Sequence, residues 1–235
     1  DQELQVRQRL VEMTQLVASG EKILTLNESL EFPEALPPAE MLLGGECRPV
    51  VRECKLLSGK AIIKGQVYVH QLFAADTDAG ECGCLDYVLP FSQILDVDGA
   101  EEGMICCANV QLLSDTERCI VGPDGENTVL DITVKLLVQL QVFACVEMKV
   151  LQDAYHTRCP ISQETEDVCV RAHKGNRWES TVLPMKMPLP VGRLSRIIDV
   201  WLQAQECEVG CQKDMVSLKG RLCICVLARD ADDQV

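Results

Sequence analysis

The chain has 235 residues, of which 47% are hydrophobic, so it is long enough to bury one large core or two small ones. Its net charge of −14 opposes binding to phosphate backbones and anionic membrane surfaces, because affinity for those partners comes from clustered Lys and Arg. Only 4% of the residues are aromatic, which leaves few side chains to stack on bases or sugars. The composition indicates a globular protein without a nucleic-acid partner.

Turn-forming clusters divide the chain into short segments of alternating hydrophobicity, a pattern typical of an all-β protein. No long amphipathic helix stands out, and residues 36–43 and 193–202 are the best candidates for short helical turns. We therefore predict an all-β fold of antiparallel strands. The turn clusters lie at residues 18–22, 57–60, 75–80, 96–103, 121–127 and 174–176.

Residues 128–150 give the strongest strand signal. Every even position from Leu130 to Val150 is apolar and most odd positions are polar, so the period of two predicts a strand with one buried face. Charged and amide residues interrupt the run, which argues against a membrane-spanning helix. At about 3.3 Å per residue the strand would be several times longer than usual, so we expect a bulge, a bend or two successive strands.

The phrase KAIIKGQVYV at residues 60–69 has a counterpart 155 positions later, MVSLKGRLCI at residues 215–224. With this offset, residues 2–80 align without gaps on residues 157–235, and the alternation of apolar positions is retained. We predict two domains, a complete β unit with an N-terminal joining segment over residues 1–156 and a partial repeat after it. Both are expected to be β-sandwich or barrel-like, and the repeated residues to superpose in the same strand order.

The chain contains 14 cysteines, a high number for an intracellular protein. Their spacings are C-x-C, an adjacent pair and C-x3-C rather than the paired C-x2-C of zinc sites, so no metal site is predicted. Some cysteines could be small core residues, but several fall on the polar side of their strands, where a free thiol is a liability. We expect at least two disulfides, including bonds between chains. The candidates are Cys82, Cys84, Cys145, Cys207, Cys211, Cys223 and Cys225.

The segments GKAIIKGQVYVHQLF and LPFSQILDVDGAEEGM and the alternating strand after VGPDGEN occur in this order. Together, over residues 48–142, they resemble the SPOCS domain, the spore-coat-associated module of SipL-type proteins in clostridia and their relatives. The phrases LNESLEFPEALPPAEMLL and VLQDAYHTRCPISQETEDVCV resemble the segments that join successive SPOCS units. The resemblance thus extends over nearly the whole chain, with the second unit incomplete.

The resemblance implies a structural protein of the spore coat, exosporium or an appendage, made in the mother cell without a signal peptide. We expect it to assemble with itself, as a homo-oligomer or filament, and with other coat proteins, and to be cross-linked by disulfides. The alternative is a non-enzymatic adaptor that recruits other coat proteins to the forespore surface and stays reduced. A wall-remodelling enzyme is a third possibility, but no G-x-S-x-G, H-E-x-x-H or P-loop motif occurs, so we predict neither catalytic residues nor a cofactor.

The partial repeat has no counterpart of residues 81–156, so an apolar face of its last strand would be left uncovered. This face consists of Leu218, Leu222, Ile224 and Val226. Three arrangements would cover it: the chain is a fragment of a longer protein, the first unit folds back over it, or a neighbouring subunit completes it by strand addition. The last arrangement is a head-to-tail contact, which propagates into a filament unless it closes into a ring.

Overall fold

The computed structural model describes residues 4–170, 172–176, 178–179, 181–186, 188, 194–213 and 215–230. In these residues the chain is all β and contains no helix, so the predicted fold class is confirmed. The eight strands are β1 (Leu4–Glu31), β2 (Met41–Leu57), β3 (Lys60–Asp76), β4 (Glu81–Asp96), β5 (Ile105–Ile120), β6 (Val129–His156), β7 (Leu194–Gln212) and β8 (Met215–Asp230).

The strands form three antiparallel sheets. Sheet A has the order β1-β6-β5, sheet B the order β2-β3-β4, and β7 and β8 form a separate hairpin. Sheets A and B share one hydrophobic core, with β2 next to β5 along one side. Among the described strands no sheet closes on itself, so the sandwich arrangement is found and the barrel-like one is not.

The core lies between the inner faces of sheets A and B. β6 contributes its even-numbered residues from Leu130 to Val142, which are almost completely buried, so the predicted alternation is confirmed over this part of the strand. Phe73 of β3 packs against Phe32, with ring centroids 5.2 Å apart. The buried residues of β3 and β4 that face β6 include Ala61, Ile63, Val67, Val69, Leu85, Leu89, Phe91 and Leu95.

β6 is one strand of 28 residues, and it pairs with β1 along its whole length. The expected irregularity takes the form of register shifts, one of them between Leu16 and Ala18 of β1. β5 pairs only with the first half of β6, up to Phe143. Residues 4–16 and 144–156 therefore form a two-stranded ribbon, here called the arm, which extends about 40 Å beyond β5 at about 3.3 Å per residue.

The turn predicted at residues 18–22 is wrong, because these residues lie inside β1. Gly20 pairs there with Leu140 of β6, and a Cβ at Gly20 would lie 3.2 Å from Cγ1 of Val97. The glycine therefore allows a close approach between sheets rather than a reversal of the chain.

The two predicted helical turns are also wrong. Residues 194–202 belong to β7 and pair with β8, while residue 193 lies outside the described residues. In the other segment, residues 41–43 already belong to β2. Both segments have a pattern short enough to suit a helix or a strand. Pairing with a neighbouring strand makes residues 194–202 and 41–43 extended, while residues 36–40 lie in the connection between β1 and β2.

The hairpin β7–β8 repeats the hairpin β2–β3 at the 155-residue offset. Its loop-closing pair is Gln212 with Met215, and the equivalent pair in the first hairpin is Leu57 with Lys60. The two pairs differ by 155 positions in both members. The second hairpin therefore has the same turn position as the first.

The irregularities of pairing recur as well. The register shift that follows Leu42 of β2 has its counterpart after Ile197 of β7. The residues that correspond to β1, at positions 159–186, contain no strand where the structure describes them. The strand order of residues 2–80 is thus repeated in its hairpin, and the division of the chain into two domains stays a prediction.

Candidate functional site

The even-numbered face of β6 continues along the arm beyond the core. The exposed fraction rises from 0% at Val142 to 45% at Met148 and 37% at Val150. Met13 of β1 lies directly opposite Val146 and adds a further apolar side chain to this face. The arm therefore presents the same kind of apolar surface that the core of the sandwich buries.

The opposite face of the arm is partly covered by the segment between β6 and β7. The Nζ atom of Lys174 lies 2.8 Å from Oε2 of Glu12, and this contact lowers the pKa of Glu12. The ring of His173 stacks on Phe143, with centroids 5.8 Å apart. The even-numbered face of β6 within the arm is here called the arm face; on it Val146 is half-buried, and Met148 and Val150 are exposed.

The hairpin β7–β8 is attached to the rest of the protein through one face. The guanidinium of Arg229 donates hydrogen bonds to the backbone carbonyls of Ala79 and Gly80, in the turn between β3 and β4. Asp199 of β7 contacts His70 of β3. These contacts hold the odd-numbered side of β8 towards sheet B.

The even-numbered side of β8, here called the hairpin face, is the one predicted to be uncovered. Leu218 is 77% exposed and Leu222 is 44% exposed, whereas Ile224 and Val226 are half-buried. The uncovered part is therefore the half nearer the hairpin turn. At the 155-residue offset, the four residues correspond to the buried Ile63, Val67, Val69 and Gln71 of β3.

The seven cysteines predicted to form disulfides lie in three places. One is exposed on the arm, four are on the hairpin, and two are half-buried on β4. The sulfur atoms are free thiols in the structure, and disulfide formation stays a prediction. In the same order, the groups are Cys145; Cys207, Cys211, Cys223 and Cys225; and Cys82 with Cys84.

A polar cluster, here called the junction, joins β7 to the outer face of sheet B. His70 lies opposite Asp86 of β4, and its Nδ1 is 2.7 Å from Oδ1 of that carboxylate. The Nε2 of His70 is 2.9 Å from Oδ1 of Asp199, but it is shielded from solvent and lacks a partner with hydrogen-bond geometry. The Cys84 thiol lies 3.1 Å from the carbonyl oxygen of Ile198.

The junction is short of positive charge. Asp199 is only 8% exposed, and His70 is its ion-pair partner among the described residues. Burial opposes protonation of His70, but the adjacent carboxylates of Asp199 and Asp86 outweigh burial and raise the pKa of His70. Burial, followed by the charges of the same two carboxylates, raises the pKa of Cys84 to about 12. Two carboxylates therefore face one imidazole and a thiol held in its neutral form.

A second cluster lies where β2 meets β5. The Cys47 thiol is 3.5 Å from Oε1 of Glu117, and Asp115 completes the group. Burial and then the charges of Glu117 and Asp115 raise the pKa of Cys47 far above its usual range. This thiol is therefore held protonated and inert.

Neither cluster was predicted, because its members come from strands far apart in the chain. The spacing of His70 and Cys84 matches no metal motif. Cross-strand pairing of the β3–β4 hairpin could have placed His70 opposite Asp86. Nothing in the sequence brings Asp199 to the same place, since its position depends on how the second hairpin docks.

The fold and these surfaces define an all-β protein of antiparallel sheets with two partly uncovered β-ribbons. Residues 38–119, about a third of the chain, match the family described as SipL, SPOCS domain. The chain therefore carries a SPOCS domain over these residues, which span β2 to β5, and the predicted resemblance is confirmed there. The long strand β6 and the partial repeat lie outside this match.

The SPOCS domain connects the protein with sporulation. No curated protein and no solved structure matches the chain. Across the described residues, no helix has the length and apolar character needed to cross a membrane.

Proposed function

We propose that this protein is a non-catalytic structural component of the spore envelope, in the coat, the exosporium or an appendage. In this proposal it assembles with itself and with other coat proteins, and disulfides then cross-link the assembly. The observation that carries the proposal is the equivalence of the hairpins β2–β3 and β7–β8 in turn position and register.

The first hairpin shows what such a unit packs against. The odd-numbered residues of β3, such as Ile63 and Val67, bury their side chains in the core they share with the even-numbered face of β6. The second hairpin carries Leu218 and Leu222 at the equivalent positions, and both are exposed. A surface like the even-numbered face of β6 is therefore the natural partner of the hairpin face.

The arm face supplies that surface. It continues the even-numbered face of β6 beyond Val142 with Val146, Met148 and Val150. Contacts of Arg229 and Asp199 engage the other side of the hairpin, so the hairpin face remains available to a neighbouring molecule. We therefore assign it to the arm face of a second copy, with the same type of packing that holds sheets A and B together.

This contact joins two different surfaces of the same chain, so it is head-to-tail and propagates along a fibre unless it closes into a ring. Four of the predicted disulfide cysteines lie on the hairpin. Cys211 pairs with Val216, on the side of the hairpin face, and Cys207 lies beside Gly220 on the same side, so both would stand at the contact between molecules. Cys223 and Cys225 are on the odd-numbered side of β8, so they would stand beside this contact rather than within it. Oxidation there would make the assembly resistant to dissociation, which suits a protective layer.

The test compares the full chain with a double variant, Leu218→Glu with Leu222→Glu, by sedimentation over a range of concentrations in reductant. We expect the wild type to form larger species as concentration rises and the double variant to stay monomeric, because two carboxylates would be buried in the contact. Val182→Glu is the matched control, since Val182 is 89% exposed in the segment before β7. It should assemble like the wild type.

Electrophoresis without reductant then tests the cross-linking. Oxidised wild-type assemblies should give a ladder of covalent oligomers that reductant collapses to one band. The proposal fails if the wild type remains a monodisperse monomer at high concentration under oxidising conditions, with Cys223 and Cys225 open to alkylation. If the protein is instead a reduced monomer that binds purified coat proteins, the result would support the alternative function of a non-enzymatic adaptor.

A further inference from the structure

We propose that His70, Cys84 and Asp199 bind a divalent transition-metal ion of the zinc type, which fastens β7 to the outer face of sheet B. The three side chains come from β3, β4 and β7, and their candidate ligand atoms all lie within 4.8 Å of one another. In a tetrahedral site with bonds of about 2.0–2.3 Å, neighbouring ligand atoms are roughly 3.3–3.8 Å apart. Shifts of about an ångström or less would therefore close the three groups around a metal ion.

The orientation of His70 is the first argument. A metal-binding histidine usually gives its second ring nitrogen to a carboxylate, which fixes the tautomer and aims the other nitrogen at the metal. Asp86 occupies that place, 2.7 Å from Nδ1. The remaining nitrogen, Nε2, is buried beside Asp199 and has no hydrogen-bond partner of acceptable geometry, a state that is costly unless something binds it.

The charge of the site is the second argument. The Asp199 carboxylate is almost fully buried, and a buried charge is stable only when it is paired or bound to a metal. The described residues bring it no Lys or Arg, and the nearby Asp86 adds a second negative charge. A divalent cation would neutralise these groups and allow the Cys84 thiol to bind as a thiolate.

The mixture of donors selects the metal. Imidazole nitrogen, thiolate sulfur and one carboxylate oxygen suit zinc and its neighbours in the first transition series, whereas calcium and magnesium need shells made of oxygen. A groove of about 290 Å³ lies between β7 and sheet B, and Arg48, Tyr68, His70 and Trp201 are among its lining residues. The groove opens beside His70, one of the three proposed ligands, so a metal ion could reach the edge of the site from solvent.

The experiment uses the full reduced chain and Co²⁺ as a spectroscopic substitute for Zn²⁺. We expect one tightly bound Co²⁺ per chain, with a thiolate-to-cobalt charge-transfer band, and displacement of the cobalt by Zn²⁺. Cys84→Ser should abolish the band, and Asp199→Asn should weaken cobalt binding at least tenfold. Cys82→Ser is the matched control, because Cys82 lies two residues earlier on β4 and outside the cluster; it should keep the band.

Hydrogen exchange provides an independent readout. Zn²⁺ should slow exchange of the backbone amides around Asp199 in the wild type and in Cys82→Ser, but not in Cys84→Ser. Circular dichroism of each apo variant checks that its sheet content is unchanged, and Asp199→Asn remains decisive if Cys84→Ser does not fold. The inference is overturned if no site of one-to-one stoichiometry exists, or if Cys84→Ser or Asp199→Asn binds cobalt as the wild type does.

This site and the proposed assembly can fail separately. The double variant Leu218→Glu with Leu222→Glu leaves all three ligands in place, so it should bind cobalt as a monomer. The same titration also separates metal binding from disulfide formation at Cys84, because an oxidised Cys84 could not give the charge-transfer band.

Discussion

Two valines on one face of β6 allow a direct comparison between the closed core and the open arm. Val142 is fully buried and Val150 is 37% exposed, although both point to the even-numbered side of the same strand. We predict that Val142→Ala destabilises the dilute protein at least twice as much as Val150→Ala. The identical substitution makes the change in intrinsic strand propensity similar at the two sites.

The magnitudes follow from burial. Val→Ala removes two methyl-sized groups, worth about 0.8 kcal/mol each when fully buried, and at Val142 the cavity left behind brings the total to about 2–3 kcal/mol. At Val150 more than a third of the side chain is already in water and no closed cavity forms, so the expected cost is about 1 kcal/mol or less.

The assay is urea unfolding of each variant at low micromolar concentration in reductant, followed by far-ultraviolet circular dichroism. Differences in midpoint are converted to free energy of unfolding with a common slope, provided that the slopes agree. At concentrations where the wild type assembles, the cost of Val150→Ala should rise towards that of Val142→Ala, because a neighbouring hairpin then covers the arm face.

Equal losses of stability at the two positions in dilute solution would refute the reasoning. Such a result would mean that the arm face is already covered within a single molecule, and the space assigned to a second copy would not exist. If the loss of stability caused by Val150→Ala does not change with protein concentration, the arm face is not part of the assembly contact.

Two further predictions concern the core and the thiols. Gly65→Ala should destabilise the protein by about 3 kcal/mol, because the new Cβ would lie 2.3 Å from the ring of Phe91. Gly44→Ala should change stability by less than about 0.5 kcal/mol, because nothing lies within 4 Å of its Cβ. Equal melting temperatures of the two variants would contradict this prediction. In native reduced protein at pH 8, iodoacetamide should modify the exposed Cys225 and leave Cys47 intact. Burial and the adjacent carboxylates raise the pKa of Cys47, so little of its reactive thiolate is present. Mass spectrometry of digested samples measures the labelling, and labelling of Cys47 as early as that of Cys225 would contradict the prediction.

The sequence by itself determined those features that depend on local alternation and on repetition. The even-numbered apolar positions of β6 follow from the two-residue period of a strand, and the hairpin β7–β8 follows from the similarity of residues 215–224 to residues 60–69. The SPOCS resemblance also rests on segments that can be read directly, and the family match includes two of the three, at residues 59–73 and 89–104.

The tertiary structure decided where each of these patterns is covered. Alternation continues unchanged from Val142 to Val150, yet burial ends with the core, because only the packing of sheet B determines how far β6 is enclosed. Gly20 resembles a turn residue and lies within a strand, since its neighbour across the core is visible only in three dimensions.

The junction depends even more strongly on long-range packing. His70, Cys84 and Asp199 lie on three strands, and the last of them is more than a hundred residues from the other two. Local periodicity places each side chain on one face of its own strand, but it carries no information about which faces meet. That choice is made when the second hairpin docks on sheet B, where the contact of Asp199 with His70 and the hydrogen bonds of Arg229 offset the cost of burying the Asp199 carboxylate.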